Sequence, residues 1–246
     1  MKVIPLSEGR FTVDVTKKFI PFTDGDALSE RTKGSLLVEI QPFVVITEKD
    51  IILLDTGLGF SDMNGNLQLH NNMISAGVNP VDVTMILMSH LHKDHAGGIT
   101  KKNPFSLERN ICFPNARYVI HKNEFEASQQ AGSSYLPEYI LPLKNTEQLI
   151  LTEESGTLDD YIQFEHTGGH SPWHQVFWIK EDNEIVFFGG DVAPQLVQLK
   201  TKFIAKYDYD GKKSAALRAD WWERGNKEMW KFLFYHDINT PVYKAL

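Results

Sequence analysis

A single cysteine in 246 residues, Cys112, excludes an internal disulfide and a thiolate-rich metal site. Basic residues are in deficit, with 25 Lys and Arg against 32 Asp and Glu and a formal charge of −7, so the chain lacks the electrostatic footprint of a nucleic-acid binder. No window approaches the ~18 consecutive apolar residues of a membrane-spanning helix. The opening residues MKVIPLSEGR have no apolar core of the kind a secretory leader carries. Repeats, low-complexity linkers and shifts of composition are also lacking. The expectation is one domain over residues 1–246, cytoplasmic, with no nucleic-acid or membrane partner. What is present is 42% hydrophobic and 11% aromatic content, enough for a sizeable core, and nine histidines.

Residues Gly34 to Gly59 read as an antiparallel strand pair about the polar turn Glu48-Lys49-Asp50. Asn71 to Ala76 reads as helical, and Val83 to Met88 is a continuous apolar run of the kind that makes a strand buried on both faces. Ala116 to Ile120 predicts another strand and Lys122 to Gln130 a short helix ended by Gly132. Ser133 to Leu143, with two prolines and several large apolar residues, is a loop that must pack against something. Tyr161 to His166, Gln175 to Lys180 and Ile185 to Phe188 follow as strands; Lys212 to Arg224 is a helix ended by Gly225, and Trp230 to Tyr235 a last strand. Strands in two groups with helices between them suggest sheets covered by helices rather than one parallel series.

The chemistry concentrates in Ser89-His90-Leu91-His92-Lys93-Asp94-His95-Ala96-Gly97-Gly98. An H-x-H-x-D-H string has a chance probability of roughly one in a thousand at this composition. At a strand exit, residues i and i+2 project to the same side, so His90 and His92 can aim at one point. As the chain turns toward a helix, Asp94 and His95 can reach a second point nearby, and Gly97 and Gly98 permit the tight corner. Imidazole and carboxylate donors without thiolates suit zinc, with iron and manganese as alternatives.

This string resembles the signature loop of the metallo-β-lactamase superfamily of metal-dependent hydrolases. The resemblance continues through Asp55-Thr56-Gly57, Gly168-Gly169-His170-Ser171-Pro172, Phe188-Gly189-Gly190-Asp191 and the strand running into His236, spanning about residues 34–237. It implies a four-layer αββα sandwich, of mixed α/β class, with the metal site at the edge between two sheets. Carried over by position, it implies that His90, His92 and His170 hold a first metal, that Asp94, His95 and His236 hold a second, and that Asp191 bridges both. Two such ions share a water of lowered pKa, the hydroxide nucleophile of a hydrolysis without a nucleophilic side chain. Asp94 is the candidate to pass a proton to the leaving oxygen. Asp55 is expected to order the site from behind. His174 and His166 are expected in supporting roles, and His70, His121 and Cys112 as ordinary packing residues. Trp173 is expected to narrow the pocket mouth.

Within the superfamily the compact chain is similar to the branch of N-acyl homoserine lactone hydrolases, since it shows no added helical domain after His236, no flavin module and no RNA-binding arm. The expected substrate is a small molecule, a lactone or other small ester, with Ser133 to Leu143 and Phe203 to Tyr209 as pocket walls. Phosphoester hydrolysis by the same centre is the alternative. A non-hydrolytic metal protein or an iron oxygen-chemistry protein is the reading from another class. The oligomeric state stays open, with a homodimer as one option.

Overall fold

The computed structural model describes residues 1–103, 105, 106 and 108–245. Two six-stranded sheets dominate. The first runs, in spatial order, Lys2–Pro5, Phe43–Ile46, Ile51–Leu54, Met85–Leu87, Arg117–His121 and Leu149–Thr152. Its first two pairings are antiparallel and the remaining three parallel. The second runs Ser155–Leu158, Ile162–His166, Gln175–Glu181, Glu184–Phe188, Lys231–Leu233 and Val242–Lys244, antiparallel except where Glu184–Phe188 meets Lys231–Leu233.

The period of two along each strand explains the layering. Val45, Ile52, Leu54, Met85, Leu87 and Val119 face the other sheet, where Phe177, Ile179, Val186 and Phe188 meet them. Their neighbours Val44, Leu53, Ile86, Tyr118 and Ile120 face outward onto Leu69 and Met73 of the helix Gln68–Ser75 and Phe125 of the helix Lys122–Ser128. On the far side Val176, Trp178, Phe187 and Phe232 face Leu199, Trp221 and Trp230, under the helices Leu196–Lys200 and Gly211–Lys227. Each fully buried large aliphatic or aromatic side chain contributes about 1.5 to 3 kcal/mol of transfer free energy. The result is helix, sheet, sheet, helix, the αββα sandwich expected. No helix among the described residues is long and apolar enough to cross a membrane.

Four expectations need correction. The last strand is Val242–Lys244, not Trp230 to Tyr235. The stretch Gly34 to Gly59 forms three strands, because Gln41-Pro42 interrupts it. Leu36–Ile40 leaves to join a separate small sheet with Gly9–Val13 and Phe19–Pro21, while Phe43–Ile46 and Ile51–Leu54 pair about the turn named above. Gly225 does not end its helix, which continues to Lys227. A Cβ at 225 would overlap the ring of Phe232, so glycine there serves close packing of helix on sheet. Gly97 likewise has ordinary helical angles (φ −60°, ψ −33°) and is needed for approach, since a Cβ would overlap the backbone of Leu58.

Candidate metal centre

The candidate ligands sit just beyond strand ends. His90 and His92 follow Met85–Leu87, His170 follows Ile162–His166, Asp191 follows Glu184–Phe188, and His236 follows Lys231–Leu233. The short helix Lys93–Ala96 carries Asp94 and His95. It is strapped to the Asp55-Thr56-Gly57 turn by Thr56 N and Oγ1 donating to His95 O at 2.7 and 2.8 Å, and by Gly97 N donating to Gly57 O at 2.8 Å. Parallel pairing of Ile51–Leu54 with Met85–Leu87 puts both turns at one edge of the sheet.

Three clusters result, His90 with His92 and His170, Asp94 with His95 and His236, and, behind them, Asp55 with His90 and His95; in each, the candidate donor atoms lie within 4.8 Å of one another. Asp191 lies between the first two, its Oδ2 3.3 Å from His170 Nε2 and its Oδ1 3.3 Å from His95 Nε2 and 3.1 Å from His236 Nε2. All seven residues predicted from the sequence are therefore brought together. Which of them bind an ion is a matter of function, taken up below.

The outward-facing imidazole nitrogens are occupied. His95 Nδ1 is 2.7 Å from Asp55 Oδ2, His170 Nδ1 2.9 Å from Asp208 Oδ1, His236 Nδ1 2.7 Å from Glu39 O, and His90 Nδ1 3.0 Å from Ser89 Oγ. A proton donated outward leaves the other nitrogen with its lone pair directed inward. Among the inward atoms, His90 Nε2, His95 Nε2 and Asp191 Oδ1 are buried without a hydrogen-bond partner among the described residues. Buried polar atoms left this way cost about 1 to 3 kcal/mol each unless something completes them.

Electrostatics sharpen the contrast between the positions. Burial pushes His90 and His92 well below the ordinary imidazole range, and neighbouring imidazoles add to it. Burial acts the same way on His95 and His236, but Asp191 and Asp94 outweigh it and raise both, with Asp55 adding to the effect at His95. Burial would raise Asp191, yet His236, His95 and His170 hold it well below the usual carboxylate range. A buried site with carboxylates among inward lone pairs favours bound positive charge, which protons or metal cations can supply.

Several supporting residues were not visible in the sequence pattern. Asp208 belongs to an irregular segment, Tyr207-Asp208-Tyr209, with no periodicity to mark it. Tyr235 stacks on His95 (centroids 4.1 Å apart, 21°) and donates to Asp94 O at 2.7 Å. Buried Glu124 accepts from Leu91 N, Tyr135 OH and Ser171 Oγ at 3.0, 2.9 and 3.1 Å, tying both histidine loops to one carboxylate. Gln175 joins the sheets, donating to Met88 O and accepting from Thr152 Oγ1. His174, expected as structural, accepts from Asp191 N at 3.1 Å.

A cavity of about 690 Å³ opens over the centre and exposes His92, Asp94, His170, Asp191 and His236. Its apolar wall is Val13, Phe19, Leu36 and Val38 from the small N-terminal sheet, a wall the sequence reading did not foresee. A smaller cavity of about 380 Å³ adjoins it at Ser133, Ser134, Tyr135, Tyr207 and Asp208. Of Ser133 to Leu143 only the start, Ser133 to Tyr135, lines these cavities; Ile140 and Leu143 turn into the outer core. Phe203 and Ile204 stay exposed outside, while Lys206 to Tyr209 contribute. Trp173 lines neither cavity and stacks instead on His121 and His166.

A model of the metallo-beta-lactamase superfamily matches residues 38–221. The chain belongs to that superfamily. It is 32% identical over 174 residues to an N-acyl homoserine lactonase of Bacillus cereus, an alignment covering 63% of this chain and 64% of the relative. The chain thus spans 64% of the length of the curated relatives it matches over this region. A probable metal-dependent hydrolase from Staphylococcus aureus shares the fold with a TM-score of 0.79 at 20% identity, over 99% of this chain and 91% of that one. An N-acyl homoserine lactone hydrolase, solved with N-hexanoyl-L-homoserine at its catalytic metal centre, aligns with a TM-score of 0.70 at 25% identity, over 96% and 93% of the two chains.

Proposed function

We propose that this superfamily member is a two-metal hydrolase that opens a lactone or cleaves a small carboxylic ester. The observation that carries the reading is the inward convergence of seven donors, four of them histidines whose outward nitrogens are already bonded, with His90 Nε2, His95 Nε2 and Asp191 Oδ1 buried and without a hydrogen-bond partner among the described residues. The donor set fits divalent cations that accept nitrogen and oxygen, zinc first and iron or manganese after it. His90, His92 and His170 hold one ion, Asp94, His95 and His236 the other, and Asp191 serves both. When bound, the two ions supply an activated water and an electrophile for the carbonyl.

The protein's own groups do the rest. Asp94 Oδ2 lies 3.6 Å from Nε2 of both His95 and His236 and borders the open cavity, so it is the group placed to hand a proton to the leaving oxygen. Tyr235 fixes the backbone beneath it. Val13, Phe19, Leu36 and Val38 take up the apolar part of the substrate and keep water from that side. The curated relatives named as N-acyl homoserine lactonases support a lactone as the scissile group.

The test is a panel of acyl lactones, aryl esters and bis(aryl) phosphates offered to protein carrying two metal equivalents per chain. Turnover of lactones or esters, lost together with first-site metal in His92→Ala, is the expected result. No turnover of either class sinks the proposal, and faster turnover of the phosphates replaces it with phosphoester hydrolysis.

A further inference from the structure

Three lysines, Lys17, Lys93 and Lys206, line the 690 Å³ cavity over the donor cluster, and Lys17 borders the adjoining 380 Å³ cavity as well. None of the three ammonium groups forms an ion pair or a side-chain hydrogen bond among the described residues, whereas Lys122 and Lys231 elsewhere are paired with Glu153 and Glu184. Three unpaired ammonium groups on one cavity stand out on a chain whose net charge is −7. The carboxylates on the cavity walls are otherwise engaged. Asp14 accepts from Thr16 N and Oγ1 at 2.9 and 2.6 Å, Asp208 holds His170, and Asp94 and Asp191 belong to the donor cluster.

Lys17 is also held in an unusual way. It adopts the left-handed region at φ 58°, a conformation that glycine or asparagine takes far more readily. Such strain persists where the surroundings enforce it and concentrates at ligand-contacting positions. Ammonium groups that line one cavity and have no ion-pair partner of their own leave their charge for a bound anion to meet.

We propose that the cavity takes an amphiphilic substrate with a separate anionic group, a carboxylate or phosphate, held by Lys17, Lys93 and Lys206 while its acyl or aryl part lies on the apolar wall. A simple acyl lactone is neutral and leaves these lysines without a partner. The inference rests on the hydrolase reading above for the scissile bond, but not for the anion subsite itself.

Phenyl hexanoate and the monophenyl ester of adipic acid present the same scissile bond, one neutral and one carrying a distal carboxylate; a phosphonate-tipped analogue distinguishes phosphate from carboxylate. On the metal-loaded enzyme the anionic esters are expected to show kcat/KM about tenfold above the neutral one, from two or three exposed charge pairs each contributing several-fold. The preference should shrink with added salt. In the triple variant K17Q/K93Q/K206Q, checked for unchanged metal content, the ratio should fall close to one. A ratio at or below one in the unmodified protein, or a preference that survives in the variant, overturns the proposal. If no ester is turned over, the hydrolase reading fails alone, and dissociation constants of adipic acid monoamide and hexanamide decide the subsite. Tighter binding of the acid, equalised in the triple variant, sustains it; equal binding in the unmodified protein refutes it.

Discussion

Replacing Asp55 by asparagine changes no atom count in the core but inverts one hydrogen bond behind the metal centre. Asp55 is fully buried; its Oδ1 accepts from Ser89 N at 2.7 Å, and its Oδ2 from Ser89 Oγ at 2.6 Å and faces His95 Nδ1 at 2.7 Å. Asparagine keeps the first contact with its amide oxygen and sets an NH2 in place of Oδ2. Ser89 Oγ can rotate to accept from that NH2. His95 can accept only by giving up its Nδ1 proton, which moves the proton to Nε2, the atom that points at Asp94, Asp191 and the second metal position proposed above. A ligand forced into the wrong tautomer by loss of its carboxylate partner weakens metal binding about 10- to 100-fold, or about 1.4 to 2.7 kcal/mol. Competition with a chromophoric chelator, resolved into two dissociation constants, should show that loss at the ion held by His95, with the other ion altered far less. A second-ion affinity within about twofold of the unmodified protein, or an equal loss at both ions, would refute the tautomer argument.

Three further substitutions probe the scaffold. Gly225→Ala gains about 1 kcal/mol of helix propensity but drives a methyl group into the Phe232 ring, and overpacking of about 1 to 3 kcal/mol should lower the denaturation midpoint; an unchanged or raised midpoint counts against the packing role. Glu124→Gln can keep an amide oxygen toward Leu91 N and Tyr135 OH but sets its NH2 against Ser171 Oγ, which must turn to accept, and losing the carboxylate's stronger bonds should cost about 1 kcal/mol of stability, read as a fall in melting temperature. His70 is held by burial at a pKa of about 4 against an ordinary 6.5. Between those values the unfolded chain binds a proton that the folded one does not, so stability is intact above 6.5 and falls as pH drops toward 4. His70→Phe should therefore lose less melting temperature than the unmodified protein between about pH 7.5 and pH 5; an identical loss would mean that His70 is not a source of the acid sensitivity.

The parts legible in the sequence are those whose signal is local. Val83 to Met88 reads as a strand buried on both faces because both faces are buried, between Ile51–Leu54 and Arg117–His121. The histidine string is legible because four donors stand within six positions, whereas His170, Asp191 and His236, each a few residues beyond a strand, are legible only through the family resemblance that the string opens. The small N-terminal sheet was missed. Its strands are short and half-exposed, one beginning at Gly9 and another ending at Pro21, and Gly9–Val13 pairs with Leu36–Ile40 across a long intervening stretch. That sheet supplies the apolar cavity wall, so the pocket was less readable than the metal centre beneath it. Asp208 and Glu124 were hidden for the same reason, since a partner found only after folding leaves no spacing in the chain.

The decisive measurement is the rate of ring opening of an acyl lactone by chelator-stripped protein as zinc is returned in known equivalents. Activity that climbs to a plateau at two bound equivalents per chain is the result expected of a shared two-ion site. A plateau at one equivalent, or a protein that binds two and opens no lactone or ester, would contradict it.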